Sequence, residues 1–189
     1  MSGYAIFEEG RYRYVPGVFQ YSAGVAALPD YQIARVTLAR PLPLREGFTF
    51  VKQFLTARDL PLTAFCACEL RSPAPFTEPE FDAFNRLYVG TLTEWGIVRD
   101  GVNPVARSNV CPAVSPPSQP SLYAFGYVVP APDARPTAII AGSGETLEGQ
   151  NNYRDHIIAR GDTSPAGMQR KAGYVIGEMQ RRLNCLEFD

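Results

Sequence analysis

Asn103-Pro104-Val105-Ala106-Arg107-Ser108-Asn109-Val110-Cys111 is the stretch around which the rest of this chain is organised. It sets one Arg in a run of small and apolar residues, and no acidic residue occurs from Gly101 to Pro132. Arg does not lose its charge, and its planar fork matches a carboxylate or a phosphate. A strand holding such a residue either pairs it with a carboxylate brought from elsewhere in the fold or leaves it for a ligand. Both alternatives stand at this level.

Immediately upstream lies the clearest helix start in the chain. Thr77-Glu78-Pro79-Glu80 is a capping box, in which the Thr hydroxyl accepts from the third helical amide and the Glu carboxylate reaches back to the cap. Pro79 sits in the first turn, where a missing amide proton costs little. Phe81, Phe84, Tyr88, Leu92 and Trp95 follow at helical spacing, and Gly96 ends the helix. Val102 to Cys111 then reads as a strand, Pro112 to Pro120 as a loop, and Ser121 to Val129 as a β-prone run.

Farther upstream, Tyr12 to Ala27 reads as one extended segment ending near Ser22-Ala23-Gly24. Tyr31 to Leu38 is a second strand, closed by the breakers Pro41 and Pro43. Leu44, Phe48, Val51, Phe54 and Leu55 form a helical stripe, and Leu62 to Leu70 is a short apolar strand. Downstream, Pro130 to Pro136 reads as a linker, and Thr137 to Ala141 as a strand running into Gly142-Ser143-Gly144-Glu145. A further short strand is predicted near His156 to Ala159. Ser164-Pro165 opens a long helix with Met168, Ala172, Val175, Ile176, Met179 and Leu183 on one face. The order predicts an α+β protein: one unit over 1–130 and a partial second β-β-α unit over 137–189.

Composition narrows the function. Of 189 residues, 46% are hydrophobic and 20% charged, with a formal net charge of −1. That supports a substantial core and offers no basic field for nucleic acid or an anionic membrane. No apolar run approaches a membrane span, and no signal peptide is visible, so a cytoplasmic location is expected. Cys66 and Cys68 alternate in a strand-like run and point to one face, as reduced thiols. With no paired Cys-x-x-Cys and only one histidine, His156, neither a metal site nor a cofactor is expected.

These segments resemble the RidA (YjgF) family of imine and enamine deaminases over Tyr12 to Pro130, and again from Thr137. Ser22-Ala23-Gly24 is similar to the family's Ser-Gly at the end of the first hairpin. Asn85-Arg86-Leu87-Tyr88 looks like its Asn-x-x-Tyr on the second helix, and Pro104-Val105-Ala106-Arg107-Ser108 like its Pro-Ala-Arg-Ser/Thr strand with one extra residue. Ile139 to Glu145 resembles a second copy of the first-hairpin motif. The resemblance implies a RidA/chorismate mutase-like mixed sheet with helices on one face. It also implies self-association as a trimer or a multiple of three, with ligand clefts between subunits. Arg107 would then bind a substrate carboxylate. Two departures stand out: Asn109 replaces a Cys often found two residues after the Arg, and the family's Glu on the last strand is absent from Leu122 to Tyr127.

Imine hydrolysis needs a water attacking carbon, a group to move protons, and an anchor for the carboxylate. Arg107 is the candidate anchor. Glu145, in a Gly-rich turn, is the candidate for the missing acid. Asn109, Asn85, Tyr88, Ser143 and Gly144 are candidate substrate-binding residues, and Tyr14, Phe19 and Tyr21 are candidates to stack on a flat conjugated substrate. The leading expectation is deamination of a small carboxylate-bearing imine or enamine, with an aminomuconate deaminase-like version in aromatic degradation. Two alternatives remain: a chorismatase-like enzyme, and a non-catalytic protein that binds a small carboxylate.

Overall fold

The strands fall into two four-stranded sheets in the computed structural model of the chain, which describes residues 3–150 and 152–188. In chain order they are β1 (Ala5–Phe7), β2 (Tyr12–Val15), β3 (Gly24–Ala27), β4 (Tyr31–Pro43), then helix α1 (Leu44–Thr56) and β5 (Phe65–Arg71). Helix α2 (Glu78–Glu94), β6 (Ala106–Val110), β7 (Ser121–Pro130), β8 (Ala138–Ile140) and helix α3 (Pro165–Cys185) follow. The architecture is mixed α+β, as predicted.

The first sheet is antiparallel throughout, in the order β1-β2-β3-β8. The second runs β4-β7-β5-β6, antiparallel except for the β5–β6 pair, whose parallel register is set by the crossover through α2. The extended segment expected over Tyr12 to Ala27 is two strands, because the chain turns back after Pro16-Gly17 and pairs Tyr12 with Ala27. β4 does not stop before its prolines. It runs on to Pro43 with a register shift between Thr37 and Leu42. As the edge strand it has one side free of ladder bonds, which is where proline is tolerated in a sheet.

The capping box forms as read. Thr77 Oγ1 accepts from the Glu80 amide, and Glu80 Oε2 accepts from the Thr77 amide at 2.9 Å. The α1 stripe buries Leu44, Phe48, Val51 and Leu55, each fully buried apolar side chain contributing about 1.5–3 kcal/mol. Gly47 lets α1 approach β7: a Cβ there would lie 2.6 Å from Leu122 Cβ. Phe48 is the hub between layers, with its ring 6.2 Å from Phe65, 5.9 Å from Tyr88 and 5.4 Å from Trp95.

Residues 137–189, set apart in sequence by the Pro-rich linker, give β8 to the first sheet beside β3. Leu186, just past α3, is fully buried with Val15, Ala23 and Ala26. The strand expected near His156 to Ala159 is replaced by a 3-10 turn at Arg154–His156 and one isolated bridge, Thr146 to Ile157. Asn152 Oδ1 accepts from the Asp155 amide and closes that turn. The apolar face of α3 forms, with Met168, Ala172, Val175 and Ile176 along one groove, but it is not covered, since Met168, Ile176 and Met179 are exposed. The helix instead turns Gly167 and Arg182 inward, because Arg182 serves backbone carbonyls beneath it. Among the described residues no helix is long and apolar enough to cross a membrane.

Candidate functional site

Arg107 occupies the seam between the two sheets. On one side β6 pairs with β5, Arg107 opposite Cys68. On the other, the Ser22 amide donates to Val105 O at 2.8 Å and the Gly142 amide donates to Arg107 O at 3.1 Å. The approach to β6 is fixed by side chains. Asn103 Nδ2 donates to Gln20 O at 2.8 Å, its Oδ1 accepts from the Val105 amide, and the Ser22 hydroxyl donates to Pro104 O. These bonds satisfy buried backbone groups that neither sheet pairs.

Arg107 is only 4% exposed. Its Nη1 donates to Asn85 Oδ1 at 2.7 Å. Around it stand the rings of Tyr21 and Tyr88, each 4.9 Å from Cζ to centroid, with Phe84 at 5.7 Å and Phe81 at 5.8 Å. Among the described residues no carboxylate forms an ion pair with it. Within the chain, pairing with a carboxylate is therefore not realised among the described residues. A buried cation faced only by π clouds and one amide oxygen has most of its donors available for an anion. Its field opposes the burial that raises the Tyr88 phenol and the Cys68 thiol. The Tyr21 phenol is raised too, by burial first and then by the neighbouring Glu148.

A cleft of about 530 Å³ opens over this group, lined by Tyr21, Phe81, Arg107, Ser108, Asn109 and Val110 from one side and by Gly142, Ser143, Gly144 and Met179 from the other. The structure therefore brings together Arg107, Asn109, Ser143 and Gly144. Asn85 and Tyr88 stand behind the guanidinium, fully buried, as supports of the cleft. Asn109 Oδ1 accepts from the Ser72 hydroxyl at 3.0 Å, which fixes its amide group. Glu145 is outside this lining: it borders a separate groove with Met168 and Ile176, 3.5 Å from Lys171 Nζ.

Of the stacking candidates Tyr21 lies in the wall, whereas Phe19 is exposed. Phe81 and Phe84 are absent from the candidates, although their helical spacing with Asn85 and Tyr88 is the signal that places them on one face. Another cleft, of about 550 Å³ between α1 and α2, is lined mainly by apolar residues such as Leu44, Phe76 and Leu87, and its charged residues, Arg45, Glu46 and Glu80, are exposed. Among the described residues no group of three or more His, Cys, Asp and Glu is placed to hold a metal ion.

The α+β scaffold thus sets a buried arginine, without a carboxylate partner among the described residues, in a cleft walled by Tyr21 and Phe81. The chain belongs to the 2-aminomuconate deaminase CnbZ family, whose model matches residues 4–189. It is 51% identical over 183 residues to a 2-amino-5-chloromuconate deaminase of Comamonas testosteroni, an alignment spanning 96% of this chain and 73% of that protein. The expectation of an aminomuconate deaminase-like member thus holds at the level of the family. No solved structure matches the chain.

Proposed function

We propose that this chain deaminates 2-aminomuconate or a closely related aminated dienedioate, by hydrolysis that releases ammonia. The observation that carries the reading is Arg107, a buried cation without an acidic partner among the described residues, at the floor of a cleft with aromatic walls. A carboxylate next to the amine-bearing carbon forks onto Arg107 through two charge-assisted hydrogen bonds. The conjugated plane lies against Tyr21 and Phe81, and the Asn109 amide and Ser143 hydroxyl supply neutral donors. Anchoring the carboxylate holds the adjacent imine carbon still for water, which turns a chance encounter into a positioned one.

The exposed Val110 and Met179 at the cleft, and Met168 and Ile176 farther along α3, support association with further copies of the chain beside the site, and the resemblance to the RidA family sets the number at three or a multiple of three.

Purified protein incubated with 2-aminomuconate is expected to release ammonia as the substrate's conjugated absorbance decays. Arg107→Met is expected to abolish most of that rate. A wild-type protein that binds muconate but releases no ammonia refutes the enzyme reading in favour of a carboxylate-binding protein. Pyruvate released from chorismate supports a chorismatase-like enzyme instead.

A further inference from the structure

Glu148 is the acid the Arg107 cleft is wired to. Its Oε1 accepts from the Tyr21 hydroxyl at 3.0 Å and from Arg182 Nη2 at 2.9 Å. Tyr21 belongs to the cleft wall and carries the Arg107 guanidinium over its ring. Arg182 has no solvent exposure, and its Nη1 donates to Ala141 O at 2.9 Å and to Gly142 O at 3.2 Å. Gly142 in turn lines the cleft and donates its amide to Arg107 O. The contacts close a circuit from Arg107 through Gly142, Arg182, Glu148 and Tyr21 back to the guanidinium. Within such a circuit the Tyr21 hydroxyl keeps a fixed place relative to a bound carboxylate.

We propose that the Tyr21 hydroxyl moves the protons of the reaction in this cleft, that Glu148 is the positioning residue which takes and returns those protons through it, and that Arg182 holds Glu148 in place. The inference rests on the deaminase reading and names the acid absent from the last strand.

The step balances as follows. The enamine substrate reacts as its protonated imine tautomer. Water attacks the imine carbon, a C–O bond forms, and the C=N π pair moves to nitrogen. One water proton passes to Tyr21 Oη as the phenol proton passes to the Glu148 carboxylate. On collapse the proton returns through Tyr21 to the nitrogen, and the C–N bond breaks with its pair on nitrogen. The hydroxyl oxygen closes to C=O and gives its proton to the departing ammonia. Iminium plus water becomes ketone plus ammonium, and nothing is oxidised or reduced. Burial and the Glu148 carboxylate both hold the Tyr21 phenol above its ordinary range, so it stays protonated and able to donate at neutral pH.

A staple that only ties the 142–150 segment to the sheet uses the same contacts, so the test reads what a staple leaves alone. Glu148→Gln, Glu148→Asp and Tyr21→Phe are assayed for ammonia release from 2-aminomuconate across pH 5–9, for urea unfolding, and for binding of muconate, the dicarboxylate without the amine. Glu148→Gln is expected to lower kcat by roughly 10²-fold or more, the scale of a lost acid–base group. KM and muconate affinity stay within about threefold, because the interaction lost belongs to the transition state. Glu148→Asp recovers part of the rate. The proposal is overturned if Glu148→Gln keeps a wild-type kcat, or loses rate only through KM. If Glu148→Gln does not fold, a Tyr21→Phe protein with wild-type kcat overturns it equally. A wild-type protein inactive on 2-aminomuconate removes the deaminase reading and this inference together, whereas an active wild type with an active Tyr21→Phe removes this inference alone.

Discussion

Replacing Arg107 with Met separates a ligand anchor from a structural arginine, because the two roles predict different effects on stability. The substitution deletes the hydrogen bond to Asn85, a charged one of about 1.5–3 kcal/mol. It also deletes the contacts with the flanking rings, about 2 kcal/mol for a desolvated cation. Against this it removes a buried cation that no carboxylate compensates, a desolvation cost of several kcal/mol. The unbranched Met side chain refills most of the space among the aromatics. The opposing terms cancel to within about 2 kcal/mol, whereas breaking a true buried ion pair costs about 3–5 kcal/mol. Urea unfolding of the two proteins reads this difference. The ligand arm is independent. Muconate at a hundred times its Kd is expected to stabilise the wild type by about 2.7 kcal/mol, or roughly 5–10 °C in Tm for a chain of this size. The variant gains nothing. The lost carboxylate fork, two charge-assisted bonds of about 1.5–3 kcal/mol each, corresponds to about 10²–10⁴-fold in kcat/KM. A destabilisation above about 3 kcal/mol together with intact muconate binding refutes the anchor reasoning.

Four further outcomes follow. Asn85→Asp puts a carboxylate where Arg107 now meets an amide oxygen at 2.7 Å; urea unfolding is expected to show a more stable fold, while muconate affinity falls at least tenfold, about 1.4 kcal/mol, because an internal anion competes for the guanidinium. Gly47→Ala drives a Cβ to within 2.6 Å of Leu122 Cβ and is expected to cost about 1–3 kcal/mol by overpacking, read as a lower urea midpoint at unchanged slope. Burial raises the Cys66 and Cys68 thiols and the Tyr12, Tyr21 and Tyr88 phenols, so above about pH 8.5 the unfolded chain loses protons that the folded chain keeps, and stability falls as pH rises, steepening near pH 10. In the native protein a thiol reagent is expected to label the exposed Cys111 well before Cys66 and Cys68.

Local signals carried most of the first 130 residues. The Thr77 box, the α1 stripe and the Ser121 run each encode their element within one short window, and those elements formed where they were read. Arg107 was legible as a candidate because an isolated Arg among apolar neighbours is costly wherever it folds. What a window cannot encode is the partner. β4 survives its prolines only because it is an edge strand, a property of its neighbours rather than of Tyr31 to Pro43. Glu145 and Glu148 share one polar stretch, and choosing between them needs the Tyr21 hydroxyl and Arg182, residues distant in sequence that only the fold assembles. The single-Arg strand thus pointed to the cleft but not to the acid connected to it.

The inward turn of Arg182 has a cause in the strand it covers. After β8 the chain keeps its amides engaged, Ala141 to Ala23 O and Gly142 to Arg107 O, so this segment is clasped between β3 and β6. Its carbonyls point the other way, toward α3, beyond the last ladder pair at Ile140. Buried carbonyls without partners are costly, and a guanidinium reaches both while remaining charged. Helical periodicity assigns such a residue to solvent, because periodicity counts apolar neighbours and not orphan acceptors. Once Arg182 is inside, its charge needs an anion, and Glu148 meets Nη2 with an oxygen that also reaches Tyr21. The same backbone need that closes β8 onto the Arg107 strand therefore delivers a carboxylate to the back of the cleft, and it does so only when α3 is docked.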